Sequence, residues 1–181
     1  MEYQIDLREA FNHKMIGEPQ DYQERSDIEW GSAECMFLPD SVPSNYDYQG
    51  ILFDLSAKNN FNADNIQCEN QIIQVGLSNL KFIYLLTFSE WIHVNEELQF
   101  RYEDGFTQTE CITVFEGDKA IWNTDIKKGT CERAFQVKIS YGPNYWIYIN
   151  KIQLKCSQKL TSILLPFNPG LHILAITCKG E

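Results

Sequence analysis

Leu98 to Val114, LQFRYEDGFTQTECITV, places Asp104-Gly105 between two alternating arms, and the reading of that turn decides the fold class. An Asp-Gly pair tolerates the positive φ values of a two-residue type I′ turn, whose twist matches that of paired strands. Closing such a turn sets Tyr102 opposite Thr107, Phe100 opposite Thr109 and Leu98 opposite Cys111, while Arg101 faces Gln108 and Gln99 faces Glu110 on the other side. One face is then mostly apolar and small and the other polar, the pattern of an antiparallel sheet with one covered and one wet surface.

Working outward, the neighbouring segments follow the same rules. Lys81 to Phe88 (KFIYLLTF) is a continuous apolar run and reads as a central strand buried on both faces. Before it come the short strands Gly50–Leu55 (GILFDL), Asn65–Cys68 (NIQC) and Gln71–Gly76 (QIIQVG). After it, Phe115 to Trp122 continues beyond a Glu116-Gly117-Asp118 turn, and Asp125 to Gly129 is a polar loop. Ala134–Ile139 and Trp146–Cys156 follow, the latter alternating with period two, and Leu160–Pro166 with Leu171–Cys178 forms the last pair. Ile5 to Ile16 begins strand-like and turns irregular, Glu18 to Asp27 reads as loop, and Glu29 to Leu38 is a buried approach to a Pro-bounded turn. Strands of this length and spacing, without a convincing helix, repeat or linker, predict an all-β chain. The expected architecture is a two-sheet antiparallel jelly-roll β-sandwich, one domain over residues 1–181.

At 181 residues such a domain buries roughly 70% of the surface of its unfolded chain and needs no staples. The net charge of −10, with no Lys/Arg cluster, argues against nucleic acid and against an anionic membrane surface. No stretch is apolar enough to span a bilayer, and the opening MEYQIDLREAF encodes no secretory signal, so a cytoplasmic location is expected. The six cysteines lie far apart, and Cys68, Cys111, Cys156 and Cys178 fall on apolar strand parity. They are expected to be buried thiols in a reducing compartment rather than a disulfide framework.

Several phrases in order, IDLREAFN, IEWGSAECMFLPDSVP, GILFDL, ADNIQCENQIIQV, LKFIYLL, FRYEDGFTQTECITV and LTSILLPFNPGLHILAIT, together resemble the galactose-binding-like β-sandwich domains attached to bacterial glycoside hydrolases. The most specific piece is the last, with Ser162-Ile163, Leu165-Pro166, Asn168-Pro169 and His172-Ile173 before Ala175-Ile176-Thr177. The resemblance implies a galactose-binding-like jelly roll with a non-catalytic, carbohydrate-associated role.

Sugar recognition combines an aromatic face for the pyranose ring with amides, carboxylates or Arg for its hydroxyls. Trp91 follows the central strand, Trp122 follows a turn, and Tyr141 and Tyr145 lie in YGPNYW. With Asn60 and Asn62 from the amide-rich loop, these are the candidate ligand-binding residues; for each ring the alternative is core packing. Parity assigns Trp146 to the core with Tyr148, Ile152, Leu154 and Cys156, and turns Tyr145 outward with Ile147 and Ile149 or leaves it in the loop.

The loop from Asn59 to Asn65 offers oxygen ligands, but an EF-hand reading from Asn60 puts Asn65 at the glycine position and Gln71 at the closing Glu position, so no metal is assigned. Asp64 and Asn65 are expected instead to cap backbone groups at a strand start. His13, His93 and His172 are isolated, and His172, in a period-two strand, reads as structural. No nucleophile elbow, HExxH helix or phosphate loop is present, so no catalytic residue, cofactor or enzymatic activity is expected. The expected function is a non-catalytic carbohydrate-binding or carbohydrate-associated module. The alternative is a stand-alone protein-interaction or self-associating β-sandwich, whose exposed strand edges serve as pairing surfaces.

Overall fold

The computed structural model describes residues 1–18, 36–59, 63–90, 93–115, 131–140 and 144–181. Among them run twelve strands: β1 (Glu2–Gln4), β2 (Asn45–Tyr48), β3 (Ile51–Asp54), β4 (Ile66–Glu69), β5 (Ile72–Leu77), β6 (Leu80–Ser89), β7 (Val94–Tyr102), β8 (Thr107–Val114), β9 (Cys131–Val137), β10 (Tyr145–Gln153), β11 (Leu160–Leu164) and β12 (Phe167–Gly180). The only helical pieces described are 3-10 turns at Pro39–Ser41 and Ser56–Asn59. The chain is thus all-β, as its patterning predicts. The expected segments at 19–27, 29–35, 116–130 and 141–143 lie outside the described residues.

The larger sheet has the order β1-β12-β6-β10-β9, with β4 also pairing β12, and the smaller has the order β5-β11-β7-β8. Their facing sides bury one apolar core: Ile83 and Leu85 from β6, Tyr148 and Ile152 from β10, and Ile173, Ile176 and Cys178 from β12 meet Leu98, Phe100, Ile112 and Ile163 of the smaller sheet. The hairpin β2-β3, together with residues 13–16 and 36–42, covers the other face of the larger sheet. Tyr84, Leu86, Phe88, Ile147, Ile149 and Leu174 pack there against Met15, Phe37, Val42 and Phe53. The larger sheet is therefore a middle layer, which is why the KFIYLLTF run is apolar at both parities, as expected of a central strand.

The hairpin at Asp104-Gly105 forms, but its register differs from the expected one by a residue. Three residues make the loop: the Gly105 N–H donates to Tyr102 O at 3.1 Å, the Tyr102 N–H to Phe106 O at 2.9 Å, and Gly105 has φ 88°. A glycine in that conformation closes three-residue hairpin loops. Phe100 consequently pairs with Gln108 and Leu98 with Glu110. The end of the second arm selects this register, because a two-residue turn would have put Ile112 and Val114 on the wet face. Burying them, each at 0% exposure, is worth about 1.5–3 kcal/mol apiece. The same shift turns Thr107, Thr109 and Cys111 outward, so the expected burial of Cys111 is wrong, whereas Cys68 and Cys178 are fully buried and Cys156 half-buried. Burial pushes the Cys178 thiol pKa up to about 12 and that of Cys68 higher still.

The register brings Gln108 inward and uses its whole amide. The side-chain oxygen accepts from the Tyr102 hydroxyl (3.2 Å) and the Lys155 N–H (2.9 Å), while the nitrogen donates to Glu110 (3.0 Å) and to Gln153 O (2.8 Å). Gln108 thus ties the smaller sheet to the end of β10 in the larger one.

Candidate functional site

Of the residues expected to bind ligand, Trp91, Trp122, Tyr141, Asn60 and Asn62 lie outside the described residues, leaving Tyr145. Its ring is half-buried, 5.9 Å from the Phe37 ring in the covering layer, instead of facing outward with two wet isoleucines. Ile147 and Ile149, expected on the same exposed face, are 0% and 2% exposed. The parity argument failed because both faces of β10 are covered. Trp146 does point toward the inter-sheet core, but it stays half-buried, with the Arg133 guanidinium 4.8 Å from its ring.

The most polar interior position is where β12, β4 and residues 12–16 meet. Asp64 is 2% exposed, and its carboxylate accepts from the Met15 N–H (3.0 Å), the Ile16 N–H (2.9 Å), the Asn65 amide (2.8 Å) and the Lys14 ammonium (2.7 Å). Asp64 therefore caps backbone groups, as expected of it, but those of a strap some fifty positions earlier rather than of its own strand. Asn65 donates through its amide nitrogen to His13 O and to Asp64, which turns its oxygen to His172 Nδ1 at 2.8 Å. His172 Nδ1 accordingly carries the proton. The His172 ring stacks on Phe88 with centroids 4.4 Å apart, and the His13 ring lies 4.7 Å away. Burial, and then the neighbouring His13, hold its pKa well below the usual histidine value. Glu90 Oε1 is 4.0 Å from His172 Nε2. These groups have the chemistry of a site but no access to solvent, which agrees with the structural role expected of His172.

An accessible site lies nearby, where residues 4–11 cross the start of the turn at 56–59. A pocket of about 220 Å³ is floored by Leu174, Ala175 and Ile176, where β12 shifts register against β6. Phe11, Gln4, Asp6, Arg8, Asp54 and Ser56 form its walls. The Asp-Leu-Arg spacing folds Arg8 back on Asp6: the Arg8 N–H and Nε donate to Oδ1 at 3.1 and 2.8 Å, and Nη2 donates to Oδ2. That guanidinium holds the Asp6 carboxyl down at about 2, and the field of Asp54 adds to that of Asp6 in raising the pKa of Arg8. Asp54 is itself anchored by the Ser56 N–H at 2.8 Å. The pocket presents an oriented donor fork, two carboxylates, an amide and a hydroxyl over an apolar floor. A shallower groove along Phe82, Glu110, Lys151 and Lys155 is larger, about 660 Å³, but its cations are engaged: Lys155 pairs with Glu110, and Lys151 sits 4.5 Å from the Phe82 ring.

Two packed antiparallel sheets with a third covering layer make this a β-sandwich domain. Its family follows from comparison: the AziU2-like beta-sandwich domain matches residues 1–181, and the chain belongs to that family. No curated protein matches the chain. Among the described residues no helix is long and apolar enough to cross a membrane, and no group of three or more His, Cys, Asp or Glu is placed to hold a metal ion.

Proposed function

We propose that the domain is a non-catalytic carbohydrate-binding module of the galactose-binding-like, jelly-roll kind, and that its ligand occupies the pocket between Asp6, Arg8 and Asp54. The pocket's composition carries this reading. Sugar hydroxyls each donate and accept, and the walls alternate a guanidinium with carboxylates, an amide and a hydroxyl, while Phe11 and the β12 floor suit the apolar face of a ring. A non-catalytic role is supported by the burial of the His13 and His172 imidazoles and of the Lys14–Asp64 ion pair, which tie residues 13–16 to the sheet. The alternative, a protein-interaction or self-associating sandwich, draws less support. The large apolar residues exposed among the described ones, Met1, Leu52, Ile72, Phe106 and Phe167, come from different elements, and single exposed apolar side chains are ordinary on a surface.

Because each protein–sugar hydrogen bond replaces one to water, the expected affinity is weak, with Kd about 0.1 to 1 mM. Calorimetric titration of a broad panel of neutral glycans tests this, with Arg8→Ala as the control. The guanidinium is exposed and its pair with Asp6 contributes little to stability, so that variant stays folded while losing the heat of binding. A panel that gives no heat at millimolar sugar refutes the proposal.

A further inference from the structure

We infer that this pocket takes a single neutral ring, end-on, through a pair of adjacent hydroxyls, and does not bind a run of rings along a chain. The inference rests on the carbohydrate reading and narrows its ligand. Size is the first argument: about 220 Å³ falls below the roughly 300–1,000 Å³ of drug-sized sites, enough for one ring and its substituents. The pocket's lining comes from the segment Gln4 to Arg8, from Phe11, from Asp54, Ser56 and Ala57, and from Leu174 to Ile176 of β12.

The surface long enough to lie along a polysaccharide is the outer face of the smaller sheet, and its composition is wrong for that use. Its outward positions on β7 and β8 include Asn95, Glu97, Gln99, Arg101, Thr107, Thr109 and Cys111, and no outward position described on that sheet is aromatic. None of the described residues of that face offers a ring to stack against successive sugars.

The charges set the second half of the ligand's chemistry. Asp6 engages the Nε–H and one Nη2–H of Arg8, which leaves three N–H donors, two of them side by side on the Nη1–Nη2 edge. Such a pair matches two oxygens on neighbouring carbons, and Asp54 is on hand to accept a hydroxyl proton. One guanidinium set between two carboxylates leaves the pocket with a net negative charge, within a chain of net charge −10. An acidic sugar is therefore repelled where its neutral counterpart is held.

The test is calorimetry at low salt with methyl glycosides of the neutral hexoses, their uronic-acid counterparts, and oligosaccharides of two to six units of whichever hexose binds. The expected result is a per-molecule affinity changing less than about threefold with chain length, and a uronate at least about tenfold weaker than its neutral parent. Asp54→Asn keeps the cap to Ser56 and removes one charge, and should shrink the neutral-to-uronate gap to within about threefold. Affinity that climbs about tenfold or more from one ring to four overturns the single-ring inference while leaving carbohydrate binding intact. A uronate that binds as well as its parent overturns the charge argument, and sugar binding that persists in Arg8→Ala moves the site elsewhere. No heat with any sugar removes the inference together with the reading on which it rests.

Discussion

Replacing Asp64 with Asn changes one oxygen to an amide group and perturbs the most heavily bonded carboxylate described in the protein. The wild-type side chain receives four donors, among them the ammonium of Lys14, whose side chain is only 6% exposed. In the variant, one backbone N–H or the ammonium meets an amide nitrogen that also donates, and Lys14 loses its carboxylate. Breaking a buried pair from one side costs about 3–5 kcal/mol, because the other charge stays in the interior. At about 2–4 °C per kcal/mol for a chain of this size, the melting temperature should fall by about 6–20 °C. Lys14→Met should cost less, about 1–3 kcal/mol, since three donors to Asp64 remain. The double variant should then be more stable than the sum of the single effects implies, by about 1–3 kcal/mol. Urea unfolding of the four proteins measures all of these. An Asp64→Asn protein within about 1 kcal/mol of wild type, or strictly additive single effects, would show that this ion pair does not hold residues 14–16 against the sheet.

The buried imidazole gives a pH prediction with a definite sign. The His172 pKa is depressed in the folded protein, so below about pH 6.5 the unfolded chain binds a proton that the folded one refuses. Stability should therefore be full above that pH and fall progressively as the pH drops toward the folded value; melting temperatures between pH 8 and pH 5 test it, and a flat profile would contradict it. Gln108→Ala should cost about 2–4 kcal/mol by leaving Gln153 O and the Lys155 N–H without their bridge, read as a lower urea midpoint at unchanged slope.

Where one face of a strand is the only covered one, the sequence was readable. Leu98 to Val114 announces a hairpin, and the mostly apolar run at Lys81–Phe88 announces a strand covered on both sides. The covering layer was hidden because β2, the strand that pairs with β3 in it, looks polar: it is Asn-Tyr-Asp-Tyr, and its value lies in Tyr46 and Tyr48 packing on the larger sheet's second face. Missing that layer made a period-two reading of β10 misassign Tyr145, since alternation distinguishes two faces but not whether both are covered. The turn at Asp104-Gly105 was legible as a turn; its length was not, because only the burial of Ile112 and Val114 chooses between two residues and three. The pocket was illegible for a different reason. Its walls and floor come from residues 4–11, 54–57 and 174–176, and the most telling of them, Asp6 and Arg8, stand where the sequence reads as a short strand giving way to an irregular segment, with no motif to join them to Asp54.

Strand β12 follows all the others in the chain yet pairs with β1, β4 and β6. On a translating ribosome, β6 is paired with β10 on one side but has an open edge on the other until β12 emerges. That edge belongs to a strand apolar on both faces, the kind that associates with other chains when left uncovered. Synthesis therefore passes through an interval in which the other strands of this domain are made and its central sheet cannot close, so a chain cut short before β12 should be captured by chaperones or aggregate instead of forming a smaller folded domain.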